Sequence, residues 1–140
     1  MKKLNLACGK DYKKGFINLD IDEECKPDIV ASVLKLPFEN NSIEYINCDH
    51  LVEHFLPEDA ELFFSEVYRV LKKGCKASMK VDKDWNKKKL MKKDPTHKYR
   101  YKAKELLKIV DKFSKKEVKD KIYFFKITQA RRKIFIYLVK

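Results

Sequence analysis

An α/β domain is predicted by three features of the chain. Short apolar runs separated by turns occupy residues 4–48, an amphipathic helix begins at Pro57, and two apolar runs near the end read as a hairpin. With 140 residues and no linker or repeat, the whole chain 1–140 reads as a single domain large enough to bury a core.

The elements follow in order. Leu4-Asn5-Leu6-Ala7 forms a short run that breaks at Cys8-Gly9, and Phe16-Ile17-Asn18-Leu19 forms a second that ends at Asp20. Asp22 to Pro27 is polar and loop-like, and Asp28 to Ser32 returns as a strand. Pro37 and the Glu39-Asn40-Asn41-Ser42 cluster make a turn before a fourth strand, Ile43 to Cys48. Pro57, followed by Glu58, Asp59 and Glu61, starts a helix, because proline fits the first turn and acids there oppose the positive end of the dipole. Ala60, Phe63, Phe64, Val67, Val70 and Leu71 recur at helical spacing, and Lys72-Lys73-Gly74 is the expected stop. Lys76 to Asp82 reads as strand five, Lys83 to Arg100 as a long polar connection, and Ala103 to Phe113 as a second helix. The hairpin comprises Ile122 to Ile127 and Ile134 to Val139, with Thr128 to Lys133 between them.

Composition narrows the setting. No apolar run approaches the length of a membrane span, and the N-terminal residues lack the apolar stretch of a signal peptide, so a cytoplasmic protein without a membrane partner is expected. Cys8, Cys25, Cys48 and Cys75 contain no C-x-x-C pair and read as reduced, mostly buried thiols. The net charge of +12 is divided unevenly. Residues 1–71 carry 8 Lys+Arg against 14 Asp+Glu, and residues 72–140 carry 25 against 7. That asymmetry points to RNA or another anionic partner on the basic C-terminal half, or to a host's preference for lysine. Lys87, Lys88, Lys89, Lys92 and Lys93, with Trp85, His97, Tyr99 and Tyr101 nearby, suit phosphates and stacked bases.

Two residues stand out for ligand chemistry. Gly9, at the end of the first strand, lets a ligand approach exposed backbone N–H groups. Asp20, at the tip of the next strand, offers two acceptor oxygens to a vicinal diol such as a ribose. An ordinary turn between buried strands is the alternative.

The order of features resembles the class I S-adenosylmethionine-dependent methyltransferases, in particular their small type 11-like branch, over nearly the whole chain. The similarity is carried by Leu4-Asn5-Leu6-Ala7-Cys8-Gly9, Gly15 to Asp20, Asp28 to Phe38, Asn41 to Ile46 with His50 to His54, and Glu66 to Gly74. It implies a Rossmann-like, mostly parallel sheet with helices on its faces, an antiparallel C-terminal hairpin and an abbreviated N-terminus. It also implies transfer of a methyl group from S-adenosylmethionine to an unidentified acceptor. Ala7, Cys8, Gly9, Asp20, Ile21, Ser32, Val33, Leu34 and Asp49 would bind the cofactor, and Asp49, His50 and His97 would be catalytic. There is no Asn/Asp-Pro-Pro-aromatic sequence after strand four, which argues against DNA-base amines as acceptors.

The departures from the family pattern carry their own expectations. Ala7 stands where relatives have glycine, and its Cβ demands a negative φ. Ser32 replaces an adenine-binding Asp and should accept more weakly. Only residues 8–15 separate the first two strands, fewer than the dozen or so that a parallel crossover normally needs, so the first helix should be vestigial and the site open. A degenerate domain that binds nucleic acid or protein without catalysis is the second reading. A zinc hydrolase is the third, because His50-Leu51-Val52-Glu53-His54 spells His-x-x-Glu-His, whose histidines share a helix face in peptidases. Such a site needs a third ligand, none is evident downstream, and no metal is expected.

Overall fold

The computed structural model describes residues 1–83, 92, 94–126 and 129–140, with backbone alone for 122–126 and 129–132. Trp85, Lys87, Lys88, Lys89 and Lys93 of the expected basic patch lie outside the described residues, as do Ile127 and Thr128 of the expected hairpin.

Five strands run parallel: β1 (Lys3–Leu6), β2 (Ile17–Asp20), β3 (Ile29–Val30), β4 (Ile43–Asp49) and β5 (Leu71–Lys83). A hairpin of β6 (Lys115–Lys126) and β7 (Gln129–Val139) completes the sheet, with β7 antiparallel to β5, in the order β3-β2-β1-β4-β5-β7-β6. The expected Rossmann-like sheet with an antiparallel end is the one found. Helix α1 (Pro57–Val70) links β4 to β5, and α2 (Ala103–Ile109) precedes the hairpin.

Register aligns Leu4, Ile46, Ala77 and Leu138 in one row and Leu6, Cys48, Met79 and Ile136 in the next. This face is the buried one. Phe63, Phe64 and Val67 of α1, with Leu106 of α2 and the following Val110 and Phe113, join the same core. Burying each phenylalanine contributes about 1.5–3 kcal/mol.

The opposite face is polar, since the residues between carry Asn18, Asn5, Asn47, Ser78 and Tyr137 in one row across β2, β1, β4, β5 and β7. Among the described residues, α1 and α2 both join the core on the first face, and Tyr68 of α1 packs edge-on against Phe113, just after α2. The β1–β2 crossover, the ten residues 7–16, is too short for a covering helix, and the β2–β3 link holds a 3-10 turn at Glu23–Cys25.

Hydrogen bonds hold the short crossover in place of a helix. Asn18, fully buried, accepts at Oδ1 from Asn5 Nδ2 (2.9 Å) and the Lys13 N–H (2.8 Å). Its own Nδ2 donates to the carbonyls of Lys13 and Phe16 and to Asp28. Asn5 Nδ2 also donates to the Asp11 carbonyl at 2.8 Å, and Asn47 Nδ2 donates to Asn5 Oδ1 at 3.2 Å. Tyr12 reaches across to donate its hydroxyl to Asp28.

Three boundaries differ from expectation, each for a local reason. Helix α1 stops at Val70, because Leu71 pairs with Ile43 in the sheet and is fully buried there. Lys72 and Lys73 therefore lie in β5, and Gly74 (φ 77°) falls where the β4–β5 register shifts, donating its N–H to the Lys140 carbonyl at 2.8 Å. Helix α2 ends at Ile109, with Val110 and Phe113 buried in the turn after it. Strand β6 begins at Lys115, before the apolar run. It lies at the sheet edge, where lysines and acids suffice and where, among the described side chains, Val118 packs on the core. Strand β7 likewise starts within the expected loop, at Gln129.

If the asparagine ladder substitutes for the missing helix, Asn18→Ala should lower the unfolding free energy by about 3 kcal/mol, because several buried partners lose their bonds. Asn47→Ala, at the end of the ladder with a single bond, should cost about 1 kcal/mol or less. Urea denaturation checks both, and equal losses would contradict the assignment.

Candidate active site

The carboxyl ends of β1, β2 and β4 lie side by side, and three loops leave from them. After β1 the chain turns through Ala7 (φ 51°) and Gly9 (φ 48°), both left-handed. The requirement for a negative φ at Ala7 is thus overturned. The immediate return of the chain to the adjacent strand, with the Cys8 N–H donating to the Leu19 carbonyl at 3.1 Å, forces the left-handed turn, at a cost of about 1–2 kcal/mol for a residue with a Cβ. Nothing lies within 4 Å of where a Cβ on Gly9 would point, so the turn faces open space.

Asp20 ends β2 beside this turn. Its Oδ2 accepts the Gly9 N–H at 2.7 Å and its Oδ1 accepts the Asp22 N–H at 3.0 Å, which fixes the carboxylate while each oxygen keeps a lone pair. Ile21 follows, 72 % exposed, an apolar platform on the rim. Beyond β3, Ser32 Oγ accepts the Leu34 N–H at 3.2 Å, while Val33 is buried and Leu34 partly so. The loop after them is clamped to α1: Arg69 donates to the carbonyls of Leu36 and Phe38, and Glu66 accepts the Leu36 N–H at 2.7 Å. Arg69 holds the Glu66 carboxyl below its ordinary range. Ala7, Cys8, Gly9, Asp20, Ile21, Ser32, Val33 and Leu34 thus sit on the loops at the carboxyl ends of β1, β2 and β3. Cys8 is buried, and burial followed by the nearby Asp20 charge pushes its thiol up; all four cysteines are free.

At the end of β4, Asp49 Oδ2 accepts from Lys80 at 2.9 Å, whereas Oδ1 is buried with no hydrogen-bond partner among the described residues. His50 follows in a left-handed conformation (φ 60°), its N–H donating to the Lys80 carbonyl at 2.8 Å. Its Nδ1 lies 3.2 Å from Asp82 Oδ1 and 3.6 Å from Glu53 Oε1, and its Nε2 lies 3.1 Å from Lys133 Nζ. Asp82, then Glu53, raise the imidazole pKa to about 9, against burial and Lys133. The Lys133 contact works the other way, since an ammonium can only donate and would need a neutral Nε2. The carboxylates, two against one lysine, set the direction.

The third expected catalytic residue is elsewhere. His97 is 4 % exposed and packs edge-on against His54 with centroids 4.8 Å apart, while His50 is engaged by Asp82 and Lys133. Asp49 and His50 are consecutive at the end of β4, and His97 lies with His54 and Glu53, the Glu53 carboxylate being within 4.8 Å of a ring nitrogen of both His50 and His97. The peptidase geometry is not formed either: His50 precedes a 3-10 turn at Val52–His54, so His50 and His54 share no helix face. Asp82, Lys80 and Lys133 were not among the residues singled out from the sequence, and Glu53 was noted only within the His-x-x-Glu-His pattern. A rule that strand ends in parallel sheets carry sites would have found Asp82.

The profile of a family described as a methyltransferase domain matches residues 4–79. No curated protein sequence matches the chain. Among solved structures, the fold is similar to a SAM-dependent methyltransferase from Archaeoglobus fulgidus, with TM-score 0.78 and 17% identity over 99% of this chain and 86% of that one. It is also similar to a SAM-dependent methyltransferase from Methanosarcina mazei, with TM-score 0.72 and 17% identity over 99% and 92%. A third likeness is to a phosphoethanolamine N-methyltransferase from Haemonchus contortus in complex with phosphomonomethylethanolamine and S-adenosylhomocysteine, with TM-score 0.72 and 16% identity over 100% and 49%.

Proposed function

We propose that this chain, which belongs to the methyltransferase-domain family, binds S-adenosylmethionine along the carboxyl ends of β1 to β3 and methylates an acceptor facing Asp49 and His50. The observation that carries the reading is the open left-handed turn at Ala7-Cys8-Gly9, tied by the Gly9 N–H to Asp20. The methyl electrophile comes with S-adenosylmethionine, so the chain's own work is to bind, orient and remove a proton.

Each residue fits one part of that work. Asp20 has acceptor capacity left for ribose hydroxyls, Ile21 and Leu34 offer apolar surface to the adenine, and the Ser32 hydroxyl takes its amino group. Cys8, Val33 and the backbone of Ala7 shape the floor. The unpartnered Asp49 Oδ1 suits an ammonium or amine donor at the methyl end. His50, held by Asp82, positions the acceptor beside it, with Asp49 as the proton-accepting carboxylate. His97 takes no part in this arrangement.

The finer part of the proposal is an anionic acceptor or RNA partner, supported by the 25 Lys+Arg of residues 72–140. Some of that charge is neutralised in place, since Lys72 pairs with Glu44, Lys80 with Asp49, Lys83 with Asp120 and Lys116 with Asp111. Binding to a single-stranded RNA should fall with salt at a slope of about 0.7 per phosphate contact, and a flat response would remove this part. Among the described residues, no helix is long and apolar enough to cross a membrane.

Titration calorimetry tests the main reading. S-adenosylhomocysteine should bind one-to-one, Asp20→Ala should weaken it roughly a hundredfold through loss of about 3 kcal/mol of charge-assisted bonds, and Ser32→Asp should tighten it. No binding by the wild type at millimolar ligand would leave the non-catalytic alternative standing.

A further inference from the structure

We propose that Glu53, His54 and His97 form a site for one divalent transition-metal ion of the zinc type. One potential donor atom from each lies within 4.8 Å of the others, although His97 is far along the chain from the first two. The backbone brings it there, for the Lys98 and Tyr99 N–H groups both donate to the Glu53 carbonyl, at 2.9 and 3.2 Å.

The Oε2 atom of Glu53 is the independent sign of a missing cation, since His50 stands on the Oε1 side, at 3.6 Å. The residue is fully buried, and its Oε1 accepts the Asp82 N–H at 3.0 Å. Its Oε2 is buried with no hydrogen-bond partner among the described residues. An ionised oxygen left so is costly unless a proton or a cation answers it. The two imidazoles beside it make a cation the fitting answer.

The surroundings of His54 also match a ligand. Its Nδ1 stands 2.9 Å from Thr96 Oγ1 and 3.3 Å from the Thr96 carbonyl. With the Nδ1 hydrogen donated to Thr96, the Nε2 lone pair is fixed in direction, as metal-bound histidines commonly are through a backbone acceptor. Two imidazoles and one carboxylate suit zinc, and three protein donors leave a fourth position for water. In a tetrahedral site with bonds of about 2.0–2.1 Å, donors stand roughly 3.4 Å apart, so the side chains have up to about 1.4 Å to close.

A neighbouring group, His50, Glu53 and Asp82, also clusters donors. It is the weaker candidate, because Lys133 already supplies a cation there, 3.1 Å from His50 Nε2 and 3.9 Å from Asp82 Oδ1. Bound at the first group, the ion would staple residues 96–99, where the long connection ends, onto the turn after β4.

The test uses untagged, metal-stripped full-length protein titrated with Zn2+ and, separately, with Co2+. The expected result is one equivalent of zinc, a rise in melting temperature that chelator reverses, and the intense visible bands of tetrahedral Co2+. His54→Ala and His97→Ala, with folding checked by circular dichroism, should each lose the bands and weaken zinc by more than the 10- to 100-fold expected of Thr96→Val. His50→Ala should keep both. Well under one equivalent of zinc in the wild type would overturn the proposal, as would unchanged affinity in His97→Ala. Loss of binding in His50→Ala alone would also overturn it, by assigning the ion to the other group.

Discussion

The hydrogen-bond ladder from Asn18 through Asn5 to Asn47 lets this chain close a parallel β1–β2 connection in ten residues, 7–16. A parallel crossover ordinarily needs a helix, which both spans the distance and buries the sheet face beneath it. Here the face beneath is polar, and the loop itself is the cover, with Asn5 2 % and Asn18 0 % exposed. Apolar residues at those positions would have left the Lys13 N–H and the carbonyls of Asp11, Lys13 and Phe16 without these partners. Every polar group on Asn18 has a partner, which is what makes such burial tolerable.

The cofactor-side geometry follows from that connection. A loop so short must reverse at once on leaving β1, so Ala7 and Gly9 adopt left-handed dihedrals, and the side of Gly9 where a Cβ would stand faces open space. His50 does the same one strand over, at the end of β4. Two non-glycine residues, Ala7 and His50, are thus held in a costly conformation at adjacent strand ends, beside the proposed binding edge. Asp20 stabilises the first by accepting from Gly9, and Asp82 and Lys133 engage the side chain of the second. The remaining face of the sheet needs no helix, since its row of Asn47, Ser78 and Tyr137 is compatible with water.

Much of this was legible from residues alone. Glycine after a strand, an acid at the tip of the next, and apolar residues at helical spacing from Ala60 to Val70 are local signals, and the structure places all three as read. What escaped the sequence was set by distant contacts. Leu71 left its helix because Ile43 offered a sheet partner. The charged start of β6 looked like a loop because an edge strand needs little apolar surface. The left-handed Ala7 contradicted its residue type because loop closure outweighs a propensity of 1–2 kcal/mol or so. His97 was grouped with His50 by loop position alone, whereas the backbone bonds of Lys98 and Tyr99 to Glu53 carry it to His54. Asp82 drew no notice in the sequence, because only register and β4–β5 pairing show that it faces His50.

The proposed cofactor edge runs through Ala7-Cys8-Gly9, Asp20 and Asp49, beside a β1–β2 connection without the helix that a parallel crossover ordinarily has. A crystal structure of the protein with S-adenosylhomocysteine tests it most directly. The account predicts the ribose hydroxyls on the Asp20 carboxylate, the adenine between Ile21 and Leu34, and the thioether sulfur facing Asp49 and His50. A ligand bound away from Asp20, for instance on the polar sheet face beside Tyr45, Ser78 and Tyr137, would contradict it.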